Sequence, residues 1–498
     1  MSIPFGAFLP DQPIFENPGA TVATNVVPLT AGSYGPLKAL ASISAALSNA
    51  PQGAAAYVVD GTTHTFAGDA ANLFKLNGAT WDEVSVSTGA YTVASTDVIN
   101  FVQYGDRCIS VNGHTDVPQT FLMGTDSAFS NLAGSPPKAK VAAAVKDFVV
   151  LGNILGQENR VHWSAIDDPT DWPTIASADA AAKQSDRQDL PTGGDVQAIT
   201  GAIGGLDGVV FCRKSIYQMQ YEGPPAVFSF REIERDRGCY GPNSVINVGN
   251  QAFYLGEDGF YSITASGSLP IGSQKVDNYF FKDWTGASVH AIYGAADVIN
   301  KLAMWLYPGE DNTSGVPDTL IIYNWETKQW STAEVDASLI FRDISVAYTL
   351  DQLDSFGNID TLADSLDSRI WIGGNILLSV FDSSNKLARF TGPNKAATLE
   401  TGEVSGGTLF NKPHERVLVN GIRPYVNTPA ANMAVTLRHR DGLGASLTDT
   451  ASTAIAANGM AGFTVSSRYV RARVSISASS SWSHASGLDF DAQEDGTL

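Results

Sequence analysis

The chain has 498 residues and carries 31 Lys and Arg against 51 Asp and Glu, a formal charge of −20 at pH 7. Only 16% of its residues are charged, against about 25% in an ordinary soluble domain, so the acidity arises from scarce bases. This balance excludes a broad basic face that would hold nucleic acid by releasing counterions from phosphates.

The cysteines and the chain start indicate the compartment. Cys108, Cys212 and Cys239 are too few and too scattered for a disulfide framework or a four-cysteine metal site. The opening MSIPFGAF has no positive region and no long apolar region, and no run of about 18 apolar residues occurs. We therefore expect a soluble product that is neither secreted nor inserted in a membrane.

Residues 1–45 are punctuated by six prolines. Each proline removes a backbone donor and disfavours helix at the preceding position, which predicts an extended arm. The arm also carries Phe5, Phe8 and Phe15, whose rings need burial either along their own domain or across a neighbouring subunit.

Residues 46–395 repeat one pattern, in which a short run of β-forming residues precedes a turn and a second short strand. Four of the six intervals between the repeats are 44 to 48 residues long, and the other two are 61 and 69. The shorter interval suits a four-stranded blade, so the pattern predicts an all-β chain with a β-propeller of about seven blades. Two or three sandwiches in tandem are the alternative. The two longer intervals should hold insertions, including Ile175 to Asp189. The repeats are marked by Asp60, Gly105, Gly152, Arg213, Glu257, Glu326 and Gly374.

Aromatic residues recur near these turns. We expect them to fill the spaces between neighbouring blades rather than to bind a ligand. They are Tyr104, Phe253, Tyr254, Tyr323 and Trp371.

Residues 396–498 contain alternating strands joined by Ser, Thr, Ala and Gly, which predicts a small C-terminal β-sandwich-like domain. From residue 401 onwards it has eight bases and eight acids, so the negative charge belongs to the rest of the chain. Its strand RYVRARV places Arg471 and Arg473 on one face, with Arg468 just before them. A solvated strand face is the default interpretation, but such one-sided arginines are also candidates for bidentate contacts with carboxylates of another subunit.

The stretch RVHWSAIDDPTDWP holds the most suggestive local constellation. Asp167, Asp168 and Asp171 lie between Trp163 and Trp172. Aromatic rings beside paired carboxylates are typical of a glycan site, and paired acids are what glycoside hydrolysis requires. The favoured interpretation is structural: an aspartate-rich turn whose carboxylates accept backbone N–H groups.

No catalytic or metal signature is present. The chain has no P-loop, HExxH, GxSxG or dinucleotide fingerprint, and no two of its seven histidines have short metal-ligand spacing. The acidic loops EDNTSG and FDAQEDG lack the ligand spacing of a calcium loop. We predict neither an enzyme nor a cofactor or metal.

Several segments together resemble one family. They are FGAFLPDQPIFENPGATVATNVVPLTAGSYGPLKAL, WSAIDDPTDW, FREIERDRGCYGPNSVINVGNQAFYLGEDGFYSI, and SSRYVRARVSI with Trp482. Their sequence is similar to the tail hub or nozzle proteins of short-tailed bacteriophages, also called packaged-DNA stabilisation proteins.

The resemblance implies a β-propeller-containing subunit of a homohexameric ring below the portal and adaptor proteins. Such a ring continues the DNA channel and offers docking sites to tail fibre, spike or needle proteins. It implies a virion protein that is assembled in the host cytoplasm and holds, then conducts, double-stranded DNA without reading its sequence. The arm with Phe5, Phe8 and Phe15 is then a candidate for one half of a heterologous subunit interface.

Two other classes remain open from the sequence. One is a glycan-binding or glycan-cleaving propeller on a virion surface, which would use the Trp163 to Trp172 turn. The other is a cellular propeller scaffold, although WD dipeptides at blade period are missing.

Overall fold

A computed structural model of the chain describes residues 1–30, 32–284, 286, 288–345, 374–412 and 415–496. The described chain is all-β and consists of many small antiparallel sheets with a few short helices. Gly373 and the 27 residues before it, among them the predicted inter-blade Trp371, lie outside the described residues.

The N-terminal segment is extended, as the prolines predict, but it is not a free arm. All five of its short strands pair with strands from the far end of the sequence or with each other. The strands are β1 (Ser2–Pro4), β2 (Ala20–Thr24), β3 (Val26–Pro28), β4 (Tyr34–Pro36) and β5 (Ala41–Ala46).

Four-stranded antiparallel sheets follow, each made of consecutive strands. Sheet 1 has β6 (Gly53–Val59), β7 (Thr62–Gly68), β8 (Leu73–Asn77) and β9 (Thr80–Glu83); sheet 2 has β10 (Asn100–Tyr104), β11 (Arg107–Val111), β12 (Gln119–Leu122) and β13 (Ser130–Asn131); sheet 3 has β14 (Ala139–Val145), β15 (Phe148–Ile154), β16 (Gln157–Trp163) and β17 (Arg187–Asp189), with helix α1 (Ala178–Lys183) before β17.

The remaining sheets of this series continue the order, and the last one is completed from the N-terminus. Sheet 4 has β18 (Val196–Thr200), β19 (Gly208–Cys212), β20 (Ser215–Gly223) and β21 (Val227–Arg235); sheet 5 has β22 (Ile246–Asn247), β23 (Ala252–Leu255), β24 (Phe260–Thr264) and β25 (Gly267–Pro270); helix α2 (Asp277–Asp283) leads to sheet 6 with β26 (Tyr293–Asp297), β27 (Leu302–Tyr307), β28 (Thr319–Asn324) and β29 (Gln329–Glu334); sheet 7 has β30 (Ala337–Ile344), β31 (Ile376–Asp382), β32 (Lys386–Arg389) and β5.

The first strands of these seven sheets adjoin one another in cyclic order. Strand β6 contacts β10, β10 contacts β14, and β14 contacts β18. A short 3-10 helix at Pro242–Ser244 contacts both β18 and β26. Strand β26 also contacts β22, and β30 lies beside both β26 and β6. The order therefore returns to its start.

Strand β5 completes sheet 7 from a distant part of the sequence. It pairs antiparallel with β32, with Ser42 opposite Ala388. The first and last parts of the seven-sheet series are thus joined by main-chain hydrogen bonds.

Both ends of the chain build one terminal unit. In one of its sheets the order is β3-β4-β41-β35-β39, with β1 also on β41; in the other, β2-β33-β40-β36-β37, with β34 on β40 and β38 on β36. Its C-terminal elements are β33 (Ala397–Thr401), β34 (Val404–Ser405), α3 (Gly406–Phe410), β35 (Val417–Val426), β36 (Met433–Arg440), β37 (Thr448–Asp449), β38 (Thr453–Ala454), β39 (Ala461–Ser467), β40 (Tyr469–Ile476) and β41 (Ala485–Glu494).

The terminal unit is continuous with sheet 6. Strand β2 pairs in parallel with β29 at Thr24 and Thr332, which joins sheet 6 to β33 and the strands beyond it. One buried apolar cluster also runs through sheets 5 and 6 into this unit, and it includes Phe5, Trp305 and Val435. The arm is therefore part of the core that holds the two regions together.

The hairpin turns follow the local sequence closely. Asp60 and Gly61 both have positive φ between β6 and β7, the requirement of a tight type I′ hairpin turn. Turns also lie at the predicted positions around Gly105, Arg213 and Glu257. The turn predicted at Gly152 is wrong, because Gly152 lies inside β15 beside a β-bulge.

The predicted insertions and inter-sheet aromatics are confirmed where the structure describes them. Helices α1 and α2 lie in the two long intervals. Phe253 of sheet 5 packs against Tyr323 of sheet 6, with ring centroids 5.8 Å apart. Tyr254 packs against Phe211 of sheet 4 at 5.6 Å, and the Tyr104 hydroxyl of sheet 2 donates to the Asp147 carbonyl of sheet 3.

Candidate functional site

A cavity of about 330 Å³ lies where the first strands of the seven sheets meet. Every sheet contributes to its wall through its first strand or the loop just before it, and β15 adds Asn153. The wall combines apolar side chains with a set of polar ones, a mixture that is common in small-molecule sites. The polar residues are Thr96, Asp97, Asn100, Lys140, Asn153, Asp195, Gln197, Thr200, Asn243, Asn247 and His290.

The charged groups of this cavity come from neighbouring sheets. Lys140 at the start of β14 binds the Asp97 carboxylate at 2.6 Å. Asp195, just before β18, accepts a hydrogen bond from the Gln197 amide. Burial lowers the pKa of His290, and the nearby Lys140 lowers it further, so the imidazole is neutral at pH 7.

Two β-bulges place amide side chains at the cavity. The pairing of β15 with β16 shifts between Gly152 and Ile154, and Asn153 there has a φ of 53°. The pairing of β18 with β19 shifts between Val196 and Ala198, which makes Gln197 the extra residue. Bulges re-aim single side chains without ending a strand, and here both act in adjacent sheets.

A second cavity, of about 490 Å³, lies between sheet 6, α2 and the N-terminal segment. Burial raises the pKa of Asp283, and the neighbouring Glu310 and Asp318 raise it further. The Tyr307 hydroxyl donates to the Asp283 carboxylate at 2.7 Å. The ionisable groups of its wall are Tyr279, Asp283, Glu310, Asp311, Asp318, Glu334, Asp336 and Lys395.

The tryptophans of the aspartate-rich turn are structural. Trp163 and Trp172 are 2% and 6% exposed, and their indole N–H groups donate to the Gln184 and Pro169 carbonyls. Neither ring offers a free face on which a sugar could stack.

The carboxylates of this turn likewise have partners within the chain. Asp168 accepts from the backbone N–H and hydroxyl of Thr170, which confirms the turn interpretation for this residue. Asp171 pairs with Lys183 at 2.7 Å, and Asp167 adopts a positive φ of 58°. The structure therefore brings the five glycan-site candidates together as a turn rather than as an open site.

The arm phenylalanines are placed differently from one another. Phe5 and Phe8 are 0% and 2% exposed in the core of their own chain. Phe15 is half-buried and packs edge-on against Tyr469 with centroids 5.4 Å apart. Of the three interface candidates, Phe5 and Phe8 are thus occupied internally, and only Phe15 retains exposed surface.

The arginines of β40 meet a carboxylate of their own chain. Glu400 on β33 is fully buried, and it pairs with Arg471 at 3.0 Å and Arg473 at 2.6 Å. Arg438 approaches the same carboxylate at 3.2 Å. Arg468 is exposed at the start of β40. Arg471 and Arg473 thus meet a carboxylate as expected, but each does so through its Nε atom alone and the acid belongs to the same chain.

Neither a metal centre nor a membrane helix is found in the described ranges. No group of three or more His, Cys, Asp or Glu side chains there could hold a metal ion. Among the same residues, no helix has both the length and the apolar character needed to cross a bilayer. The three cysteines are free and buried.

Sequence inspection missed the residues that define the cavity. Asp97 and Asp195 are single polar residues just before β-strands and Asn153 is one within β15, and nothing local distinguishes them from ordinary turn residues. The only available signal was positional: Asp97 and Asp195 come just before the first strand of a repeat, and those strands meet at the cavity.

Comparison with known proteins identifies no family. No family model and no curated protein matches the chain. Among solved structures, the chain is similar to the extracellular domain of BT4673 from B. thetaiotaomicron, with 10% identity and a TM-score of 0.41 over 86% of this chain. The match covers 48% of that protein, so this chain spans about half its length.

Two further structures are similar over shorter parts of the chain. BBS1N, solved in complex with ARL6DN, has 14% identity and a TM-score of 0.38, covering 71% of this chain and 95% of that one. Apo AztD from Citrobacter koseri has 12% identity and a TM-score of 0.29, covering 63% and 86%. At these TM-scores the similarities carry no argument about function.

Proposed function

We propose that this chain is a structural tail hub or nozzle subunit of a short-tailed bacteriophage, and that its seven four-stranded sheets form a closed β-propeller. The observation that carries the proposal is the path of the N-terminal segment. It supplies β5 to sheet 7 and β1 to β4 to the terminal unit, in the region where the sequence resemblance to this family begins.

This path suits a protein that bears load. Opening the series of sheets requires unpairing β5 from β32, and separating the terminal unit requires breaking the link between β2 and β29. The arm is also fixed to α2, because the Asp11 carboxylate accepts the backbone N–H groups of Asn278 and Tyr279. A subunit tied at these points would keep its shape while DNA is retained under pressure and then released.

The DNA conduit must lie between copies of the chain. The cavity inside one copy, at about 330 Å³, is far too small for a DNA duplex. A ring of copies, a homohexamer in this family, needs a heterologous interface in which one patch meets a different patch on the next copy. A channel wall without a basic surface would let DNA slide without adhesive contacts.

The proposed role is non-enzymatic, in the virion tail after assembly in the host cytoplasm. Its partners would be portal-adaptor proteins on one side and fibre, spike or needle proteins on the other. Double-stranded DNA would pass through the ring without sequence-specific contacts, and no membrane insertion would be involved.

Electron microscopy of the purified full chain, alone and mixed with candidate portal-adaptor assemblies, tests this function. We expect rings with six-fold symmetry that dock coaxially on the adaptor. A chain that stays monomeric with every adaptor and hydrolyses or binds glycans would overturn the proposal and favour the glycan-directed alternative.

A further inference from the structure

The cavity between the seven sheets contains a polar atom without a protein partner. Asn153 is 8% exposed and lines this cavity. Its Nδ2 donates to the Val196 carbonyl at 2.9 Å, which orients the amide and leaves Oδ1 as the free acceptor. Within the described residues no donor reaches Oδ1, and a buried acceptor without a donor costs about 1–3 kcal/mol.

Other residues of the cavity wall also present oxygen atoms that can accept a hydrogen bond. Asp195 is adjacent to Val196 and is half-buried at the cavity wall. One of its oxygens receives the Gln197 amide, which leaves the other available to a ligand. Thr200 on the same strand has a buried hydroxyl oxygen without a partner in the described part of the chain.

The charge of the cavity favours a cation. Lys140 and Asp97 neutralise each other at 2.6 Å, and His290 is neutral at pH 7 for the reasons given above. Asp195 has no ion pair within the described residues, so the lining side chains retain one net negative charge at a half-buried position. Electrostatic attraction is stronger in such a place than in bulk water.

Apolar side chains form the rest of the wall. They offer a surface on which methylene groups could pack while a charged end reaches the acceptors. They include Val98, Ile99, Val141, Ile199, Tyr293 and Phe341.

We propose that this cavity binds a small aliphatic amine in its ammonium form. The ammonium group would donate to Asn153 Oδ1 and to the Asp195 carboxylate, and its alkyl chain would lie against the apolar wall. A bound amine would contact several sheets at once and hold their first strands together. This role is additional to the proposed function and does not depend on it.

Titration calorimetry and thermal unfolding of the full chain with n-butylamine test the site, with 1-butanol as the neutral probe of the same length. We expect saturable 1:1 binding of the amine, a rise in melting temperature, and at least tenfold weaker binding of the alcohol. Equal binding of the two probes, or no binding of the amine at millimolar concentration, would overturn the proposal using the wild-type protein alone.

Two variants locate the site and one serves as a control. Asp195→Asn removes the charge, and Asn153→Gly removes the acceptor with a residue that tolerates the positive φ at this position. Each should weaken n-butylamine binding at least tenfold. Glu257→Gln, an exposed change in the β23–β24 turn, should bind as wild type. Undiminished binding by both cavity variants would show that the amine lies elsewhere and contradict the assignment.

Discussion

Asp277, at the start of α2, is a carboxylate enclosed by backbone. A Cβ atom at Gly259 would come within 2.2 Å of its Oδ2, and one at Gly272 within 2.0 Å of its Oδ1. The Phe260 N–H donates to Oδ1 at 3.1 Å. Burial, together with the nearby Asp11 and Asp258, raises the pKa of Asp277 to about 7.

This shift predicts a pH-dependent stability. In the unfolded chain Asp277 titrates near 3.9, so between about pH 4 and pH 7 the folded state binds more protons than the unfolded state. The free energy of unfolding should therefore fall as the pH rises through this window. Asp277→Asn, which mimics the neutral form and keeps the acceptor for Phe260, should flatten the dependence and be more stable than wild type at pH 8. Urea unfolding at pH 5 and pH 8 measures both effects.

The control for this prediction is Asp106→Asn in the exposed β10–β11 turn. It should retain the wild-type pH dependence. An Asp277→Asn variant whose stability changes with pH as the wild type does would show that other groups are responsible.

Glu400 gives a second prediction about a single residue. This buried carboxylate compensates three guanidinium groups, of Arg438, Arg471 and Arg473. Glu400→Gln should destabilise the terminal unit by about 3–5 kcal/mol, since it leaves buried positive charge uncompensated. Chemical denaturation followed by tryptophan fluorescence should show this loss.

An exposed ion pair of the same unit provides the comparison. Lys412 and Glu494 are 2.6 Å apart with side chains 52% and 43% exposed. Lys412→Ala should stay close to wild type because water screens such pairs. Equal losses of unfolding free energy in the two variants would mean that the ion pairs of Glu400 stabilise the unit no more than an exposed pair does.

The arginines show what sequence can predict for one residue. The alternation in RYVRARV correctly places Arg471 and Arg473 in one strand, β40. Their common partner, Glu400 on β33, lies 71 residues before Arg471 and 73 before Arg473. No local pattern indicates that pairing. A partner on another subunit and a partner on a distant strand therefore look the same in the sequence.

At the level of elements, the local sequence encodes the hairpins but not the long-range pairing of β5. A hairpin such as β6–β7 is encoded by its own Asp-Gly turn and the flanking β-formers. The pairing of β5 with β32 joins residues 340 to 348 positions apart, and its register depends on the assembled core rather than on a turn. The sequence thus predicts the repeated units well and the pairing of β5 with β32 not at all.

Two truncations test the role of β5. A chain that begins at residue 39 lacks β1 to β4 but keeps β5, whereas one that begins at residue 47 lacks β5 as well. Hydrogen–deuterium exchange should show lost protection in β41 and β35 for both truncations. Only the second should also expose β32, because its outer edge then has no partner.

The loss of protection in β41 and β35, which we expect for both truncations, is the internal control for that experiment. Removal of Phe5 and Phe8 empties the same core in both truncations. Full protection of β32 in the chain that begins at residue 47 would contradict the closing role of β5.

For the whole molecule, the sequence shows which part of the chain carries the negative charge. It does not show which surfaces meet in an assembly. The neutrality of the terminal region follows from counting, and in the structure many of its bases pair with acids of the same unit, such as Arg440 with Glu403 and Arg416 with Asp441. Which surfaces meet in a ring depends on shape over many strands, and no single motif records it.

The net charge leads to a prediction about DNA. A protein with a charge of −20 gains nothing from counterion release, and the close approach of phosphates is opposed at low salt, where screening is weakest. The full chain should therefore leave the mobility of a DNA duplex unchanged in a gel-shift assay at about 50 mM salt. A variant with four exposed acids replaced by Lys still has 35 bases against 47 acids, a charge of −12, and should likewise leave the mobility of the duplex unchanged. Suitable positions are Glu83, Asp106, Glu158 and Glu257. Tight, salt-sensitive binding by the wild-type chain would instead require a basic surface and would contradict passive conduction.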